Sequence, residues 1–279
     1  IDAFKLYMAT TTGDLAMGDA GSQYRALDRI AGTDTVVAVH AEDDAINDAA
    51  ASGSGDYVHA DARPPVSEAA AVSAILAIAG ETGCPVHIAH VSTGAAVNHI
   101  RAARERGVDV TAEVCPHHLL LDRSDPQGAY RKMNPPLRTA AHQSALWEGL
   151  NDGTIDMVAS DHAPHTTAEK DVAVAAAPAG VPGVQERYPL LIDAARSGRL
   201  PLDRAVTACA AAPTDRFSLP DRGQLTPGSR ADIAVFAETS WTLDDTAVRS
   251  KCGWTPYSGR DLSIRPMHTF VAGSHRELF

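Results

Sequence analysis

Short apolar runs alternate with longer stretches of helical character, and that alternation predicts a parallel α/β fold. The candidate strands are 3–8, 35–40, 85–91, 109–115 and 155–160. Ser67, after Pro64-Pro65, is expected to cap an Ala-rich helix that runs to the glycines at 80–83. Further helices are expected over 94–106 before Gly107, 140–151 before Gly153, and 203–212 before Pro213. Five strands, each followed by a loop and a helix, fit the later part of a TIM (β/α)8 barrel, which takes about 250 residues when whole. A doubly wound sheet is the alternative, although no Gly-rich phosphate loop follows any strand.

The pattern changes after Asp221. The turn-rich stretch 223–228 is followed by short strands around 231–236 and 268–273, which read as part of a small β-sandwich. The division expected is therefore 1–222 for the barrel portion and 223–279 for the β strands and tail. The small-residue loop 173–179 is expected to move over a site. Ile1 opens directly into a strand-like run where a polar, frayed start is usual, so the chain is expected to be cut at its beginning.

Composition narrows the function classes. Among 279 residues, 35 acids outnumber 24 bases for a net charge of -11, and no basic run interrupts them, which argues against nucleic acid as a partner. No apolar run approaches the roughly 18–20 residues of a membrane span, and four well-separated cysteines suit a reduced, cytoplasmic protein. Aspartate dominates the acids and arginine the bases, either a halophilic surface or the imprint of a GC-rich genome.

Barrels place their chemistry at strand carboxyl ends. Here those ends carry Lys5, His40, His90, the Cys115-Pro116-His117-His118 cluster and Asp161, an inventory suited to Zn²⁺, Mn²⁺, Co²⁺ or Fe²⁺. His87 and His90 are three apart, so on one strand they face opposite sides; His90 is the better ligand candidate and His87 is expected to pack outward. Asp161-His162-Ala163-Pro164-His165 places a carboxylate at a strand end, where it can bind metal or act as a base. A structural turn accounts equally well for Lys132-Met133-Asn134-Pro135-Pro136-Leu137-Arg138.

Together these segments resemble the amidohydrolase superfamily, and within it the cyclic amidohydrolases: dihydroorotases, allantoinases and hydantoinases. The matching stretches are Phe4-Lys5, Val39-His40-Ala41-Glu42-Asp43, His87-Ile88-Ala89-His90-Val91-Ser92-Thr93, Glu113-Val114-Cys115-Pro116-His117-His118-Leu119, 132–138, 161–165 and Gly180-Val181-Pro182-Gly183. In the tail, 228–236 and Thr255-Pro256-Tyr257-Ser258-Gly259 match too. Asn-Pro-Pro-Leu-Arg with Asp-His-Ala-Pro-His is most similar to dihydroorotases. The resemblance implies a binuclear Zn²⁺ site in which a carboxylated Lys5 bridges both ions, His40 and His90 hold one, and Asp161 holds the other and shuttles a proton. It implies substrate contacts at Asn134, His165 and the backbone of Ala179 and Gly180. His117, His118 and His162 are expected to support the site without ligating.

One departure stands out. The family's first-strand His-x-His pair and its adjacent arginine have no counterpart here. The chain is therefore expected to hold strands 4–8 of the barrel and, alone, to fold poorly and hydrolyse nothing. The leading activity implied is dihydroorotate hydrolysis, with allantoin or hydantoin ring opening as alternatives. A homo-oligomer or association with aspartate transcarbamoylase is expected, and a non-catalytic scaffold for the latter is the reading of another class.

Overall fold

The five apolar runs form one parallel sheet. In the computed structural model, which describes residues 2–11, 15–33, 35–52, 58–124 and 128–277, the strands are β1 (Ala3–Tyr7), β2 (Val36–His40), β3 (Val86–Ile88), β4 (Val110–Val114) and β5 (Met157–Val158). Ile1 lies outside the described residues. The strands lie side by side in chain order, β1-β2-β3-β4-β5. A doubly wound sheet reverses its strand order at a switch point, and this sheet has none, so the winding is that of a barrel.

The pairing register sorts side chains onto two faces. Lys5, Ala38, His87 and Thr111 fall in one row across β1 to β4. The alternate positions Leu6, Val37, Val39, Val86, Ile88, Ala112 and Val158 belong to the main apolar core. Helices α1 (Ala20–Ile30), α4 (Pro65–Thr82), α5 (Gly94–Glu105) and α7 (Ala140–Asp152) supply the other half of that core. Ile75, Ile100, Leu146 and Leu150 are completely buried in it, each contributing about 1.5–3 kcal/mol. Short helices α2 (Asp44–Ala51), α3 (His59–Ala62), α6 (Pro116–Leu120) and α8 (Thr167–Lys170) sit in the connections, and α9 (Arg187–Arg196), α10 (Leu202–Cys209) and α11 (Ala211–Arg216) follow β5.

Local chemistry moved several boundaries. Pro65 occupies the first turn of α4, where its missing N–H costs nothing. Ser67 does not cap its own helix; its hydroxyl accepts from Asp43 N at 2.8 Å and donates to Asp43 O at 3.1 Å. Gly83 closes α4 at φ +72 and Gly153 closes α7 at φ +84, the left-handed conformation that favours glycine. The expected helix 203–212 breaks instead at Ala210, and Pro213 sits in the first turn of α11.

The later strands β6 (Ile233–Ala237), β9 (Arg265–Val271) and β10 (Ser274–Glu277) pair antiparallel, as do β7 (Trp241–Leu243) and β8 (Arg260–Leu262). Leu243, Cys252, Trp254, Tyr257 and Leu262 form a second core with Met133, Leu137 and Val181. The tail thus packs beneath the loops that follow β4 and β5. All four cysteines are buried free thiols, and no described helix is long and apolar enough to cross a membrane.

Candidate active site

Two strand ends leave the sheet in the left-handed region: His90 at φ +39 and Asp161 at φ +42. Neither is glycine, and such residues mark places where the surroundings overrule the local backbone preference. Both side chains line a cavity of about 340 Å³ together with Lys5, His40, Asn134, His165, Ala179 and Gly180, so the eight residues singled out from the sequence share one wall. Tyr7, Thr11, Ala163 and Pro164 complete it.

The outward orientation expected of His87 is corrected. Strand parity assumes that the strand reaches His90, but β3 ends at Ile88 and the left-handed turn re-aims the later side chain. His87 shares the face of Lys5, with Nδ1 2.9 Å from Thr111 Oγ1 and Nε2 3.1 Å from Glu113 Oε2. It lies below the cavity, edge-on to Phe217.

His40 Nδ1 and His90 Nε2 face each other at 3.0 Å. On its other side His40 Nε2 meets Glu42 at 2.9 Å, and Arg63 Nη2 donates to the same carboxylate at 2.7 Å. Burial would raise the Glu42 pKa, but His40 and Arg63 outweigh it and hold the group at about 2. An ionised Glu42 keeps the His40 proton on Nε2 and turns the Nδ1 lone pair toward His90. Burial drives His90 well below the usual imidazole pKa, with His40 and Lys5 adding to it, so His90 is a neutral donor. Two imidazoles converging beside a carboxylate and a lysine are a donor set for a divalent cation.

Lys5 opens into the cavity, and the protein around it lowers its pKa by removing water, against the pull of Glu113 and Asp161. Burial raises the Asp161 pKa, opposed by Lys5 and reinforced by Glu113. Opposite these groups, His59 Nε2 lies 2.9 Å from both Met133 O and Asn134 Oδ1, which fixes the Asn134 amide. Gly180 adopts φ +139, and a Cβ there would stand 2.6 Å from Ala163 O, so only glycine brings this loop against the 161–165 segment.

Cys115, His117 and His118 offer ligand atoms within 4.8 Å of one another, but all three are buried and none lines the cavity. His118 Nε2 meets Pro135 O at 3.0 Å, while His162 Nδ1 accepts from Gly183 N at 3.1 Å and holds the turn after Gly180. Sequence reading gave no role to Glu42, Arg63, His59 or Lys170. The i,i+2 spacing of His40 and Glu42 was the one available signal, since Arg63 and His59 reach their partners only through the fold.

Residues 21–264 match the amidohydrolase family. A dihydroorotase of Halobacterium salinarum is 41% identical over 274 residues, covering 97% of this chain and 63% of its own length. A Geobacillus dihydroorotase is 38% identical, with 95% and 64% covered. Among solved structures, D-hydantoinase from Thermus sp. superposes with a TM-score of 0.92 at 26% identity, covering 100% of this chain and 65% of that one. Dihydropyrimidinase from Brevibacillus agri gives 0.90 at 28%, with 99% and 63% covered. The chain spans just under two thirds of the length of these relatives. With a family match over most of its length and a barrel-type sheet carrying this donor set at its strand ends, the chain belongs to the amidohydrolase family.

Proposed function

We propose that the gene product carrying this chain is a dihydroorotase, hydrolysing the cyclic amide of (S)-dihydroorotate reversibly to N-carbamoyl-L-aspartate in pyrimidine synthesis. The observation that carries this reading is the single cavity wall shared by Lys5, His40, His90 and Asp161 with Asn134, His165, Ala179 and Gly180. The dihydroorotase sequences, closer in identity than the hydantoinase structures, support this choice of ring.

The donor chemistry suits two Zn²⁺ ions, which Lys5 in carboxylated form, His40, His90 and Asp161 would hold. The lowered pKa of Lys5 favours this, because only the neutral amine adds carbon dioxide. When bound, the ions supply a nucleophilic oxygen at neutral pH and the charge that polarises an amide carbonyl. Asp161, at the cavity wall, would accept the proton of the attacking water and return it to the departing ring nitrogen. Asn134, held by His59, and His165 orient the substrate, and the loop backbone at Ala179 and Gly180 closes over it. The first-strand histidines and arginine that the resemblance implies have no counterpart in residues 1–279, so these residues by themselves are expected to hydrolyse nothing.

The test is turnover of dihydroorotate, allantoin and hydantoin side by side by the zinc-loaded gene product. Dihydroorotate alone turning over supports the reading, and preference for another ring overturns it. Failure on all three with metal bound moves the weight to a scaffold for aspartate transcarbamoylase, detectable by co-sedimentation. The aspartate-rich composition is read as halophilic adaptation, and a melting temperature that does not rise in molar KCl would reject it.

A further inference from the structure

Only four of the 24 basic residues are lysines, and two of these, Lys132 and Lys170, flank the loop that bears Ala179 and Gly180. Where arginine is so strongly used, a lysine marks a place suited to a compact ammonium. Lys170, at the end of α8, is 1% exposed and ranks among the largest fully buried side chains. No carboxylate among the described residues forms an ion pair with it. Its Nζ donates to three carbonyls from two loops: Ala129 at 3.0 Å and Lys132 at 3.3 Å from one, and Pro178 at 2.9 Å from the other. The ammonium also stands 5.8 Å from the Trp254 ring centroid. Lys132 Nζ adds bonds to Val174 O at 2.9 Å and Ala175 O at 3.2 Å, and Gly180 N donates to Lys132 O at 2.9 Å. The loop 173–179, expected to be loose, is tied from beneath.

We propose that Lys170 is a positioning residue: its ammonium joins the loop that ends in Asn134 to the loop that ends in Ala179 and Gly180, and so sets the width of the substrate slot between them. Resting on the dihydroorotase reading, this makes Lys170 a determinant of substrate affinity that never touches the substrate. A charged group with three carbonyl acceptors suits the task, because one ammonium with three donors satisfies all three at once and fixes their separation.

The experiment compares Lys170→Met with Arg204→Met in the zinc-loaded gene product. Arg204 is the control, since its guanidinium likewise donates to three carbonyls, Leu150, Ile155 and Asp156, at the opposite end of the sheet. Both variants are expected to melt earlier. Lys170→Met alone is expected to raise KM for dihydroorotate at least ~10-fold while kcat changes less than ~3-fold, the pattern of binding lost equally in ground and transition states. Hydrogen exchange in the wild-type protein supplies a measurement independent of turnover and of any variant: amides of 129–134 and 172–181 are expected to open together, as one cooperative unit. An unchanged KM in Lys170→Met, or the two segments exchanging independently, overturns the proposal. Absent turnover in the wild type defeats the dihydroorotase reading instead, and the exchange measurement repeated in Lys170→Met, where the two segments should decouple and continued joint opening would overturn the proposal, still decides the role of Lys170.

Discussion

The two ends of the parallel sheet treat polar groups in opposite ways. At the amino ends, Arg104 donates to Val110 O at 3.0 Å, Gly153 O at 2.7 Å and the Asp156 carboxylate, which in turn accepts from Ala112 N. Arg216 does similar service for Val86 O and Asp109. These side chains tie strand starts to helix ends, and the left-handed positions there, Gly83, Gly107 and Gly153, are all glycine. At the carboxyl ends the chain turns left-handed at His90 and Asp161, and His90 Nδ1 is buried without a partner among the described residues. Carboxylates there are pushed in both directions, Glu42 down and Asp161 up. The difference teaches that one end of the sheet holds the fold together while the other keeps unsatisfied, strained groups that the fold has to support, as expected of a functional site.

That contrast can be broken at four points. Asp161→Asn is expected to lower kcat of the zinc-loaded gene product by roughly 10³-fold, with a melting temperature close to wild type; a large loss of stability would erase the division of labour. Arg104→Met should do the reverse, destabilising by about 2–4 kcal/mol in urea unfolding while kcat stays within about twofold. His59→Gln sharpens the picture at the site end. The pKa of His59 is lowered to about 4, chiefly by burial, against 6.5 for an unperturbed imidazole, so between those values the unfolded chain binds the extra proton. Its contribution is whole above pH 6.5 and lost as pH falls toward 4, about 2 kcal/mol by pH 5. Glutamine keeps a donor for Met133 O and Asn134 but does not titrate, so the variant's stability should fall less between pH 7 and 5; parallel curves would exclude His59 as the cause. Smallest of all, Arg101→Ala removes an exposed ion pair with Asp152 at 2.7 Å and should change stability by no more than about 0.5 kcal/mol.

Period and punctuation carried most of the architecture. The apolar runs at 3–8, 35–40 and 109–115 became β1, β2 and β4 within two residues at either end, because each is a short, β-branched-rich or apolar run whose pairing in the parallel sheet fixes its bounds. The runs at 85–91 and 155–160 reach past the strand ends at Ile88 and Val158: His90, inside the first, and Asp161, one residue past the second, turn left-handed, and nothing in either residue type announces that. The same turn defeated the parity argument for His87. Motif recognition brought eight positions to one cavity, but it named groups and not what steadies them. Glu42 needs Arg63 from 21 residues away, and Lys170 needs carbonyls up to 41 residues distant. Such partners become visible only when the chain has folded.

Trp254 draws one last consequence from the packing of the tail beneath the loops. Its indole N–H donates to His165 O at 2.8 Å, its ring lies edge-on to Tyr130 at 4.8 Å, and the Lys170 ammonium stands beside it. Trp147 is lodged in the main core and Trp241 bonds to Ile264 O, both away from the cavity wall. The molecule therefore carries its own optical reporter. With Trp147 and Trp241 replaced by phenylalanine, the emission of Trp254 should report in real time, without any label attached, whether the tie between the loops holds when a ligand enters.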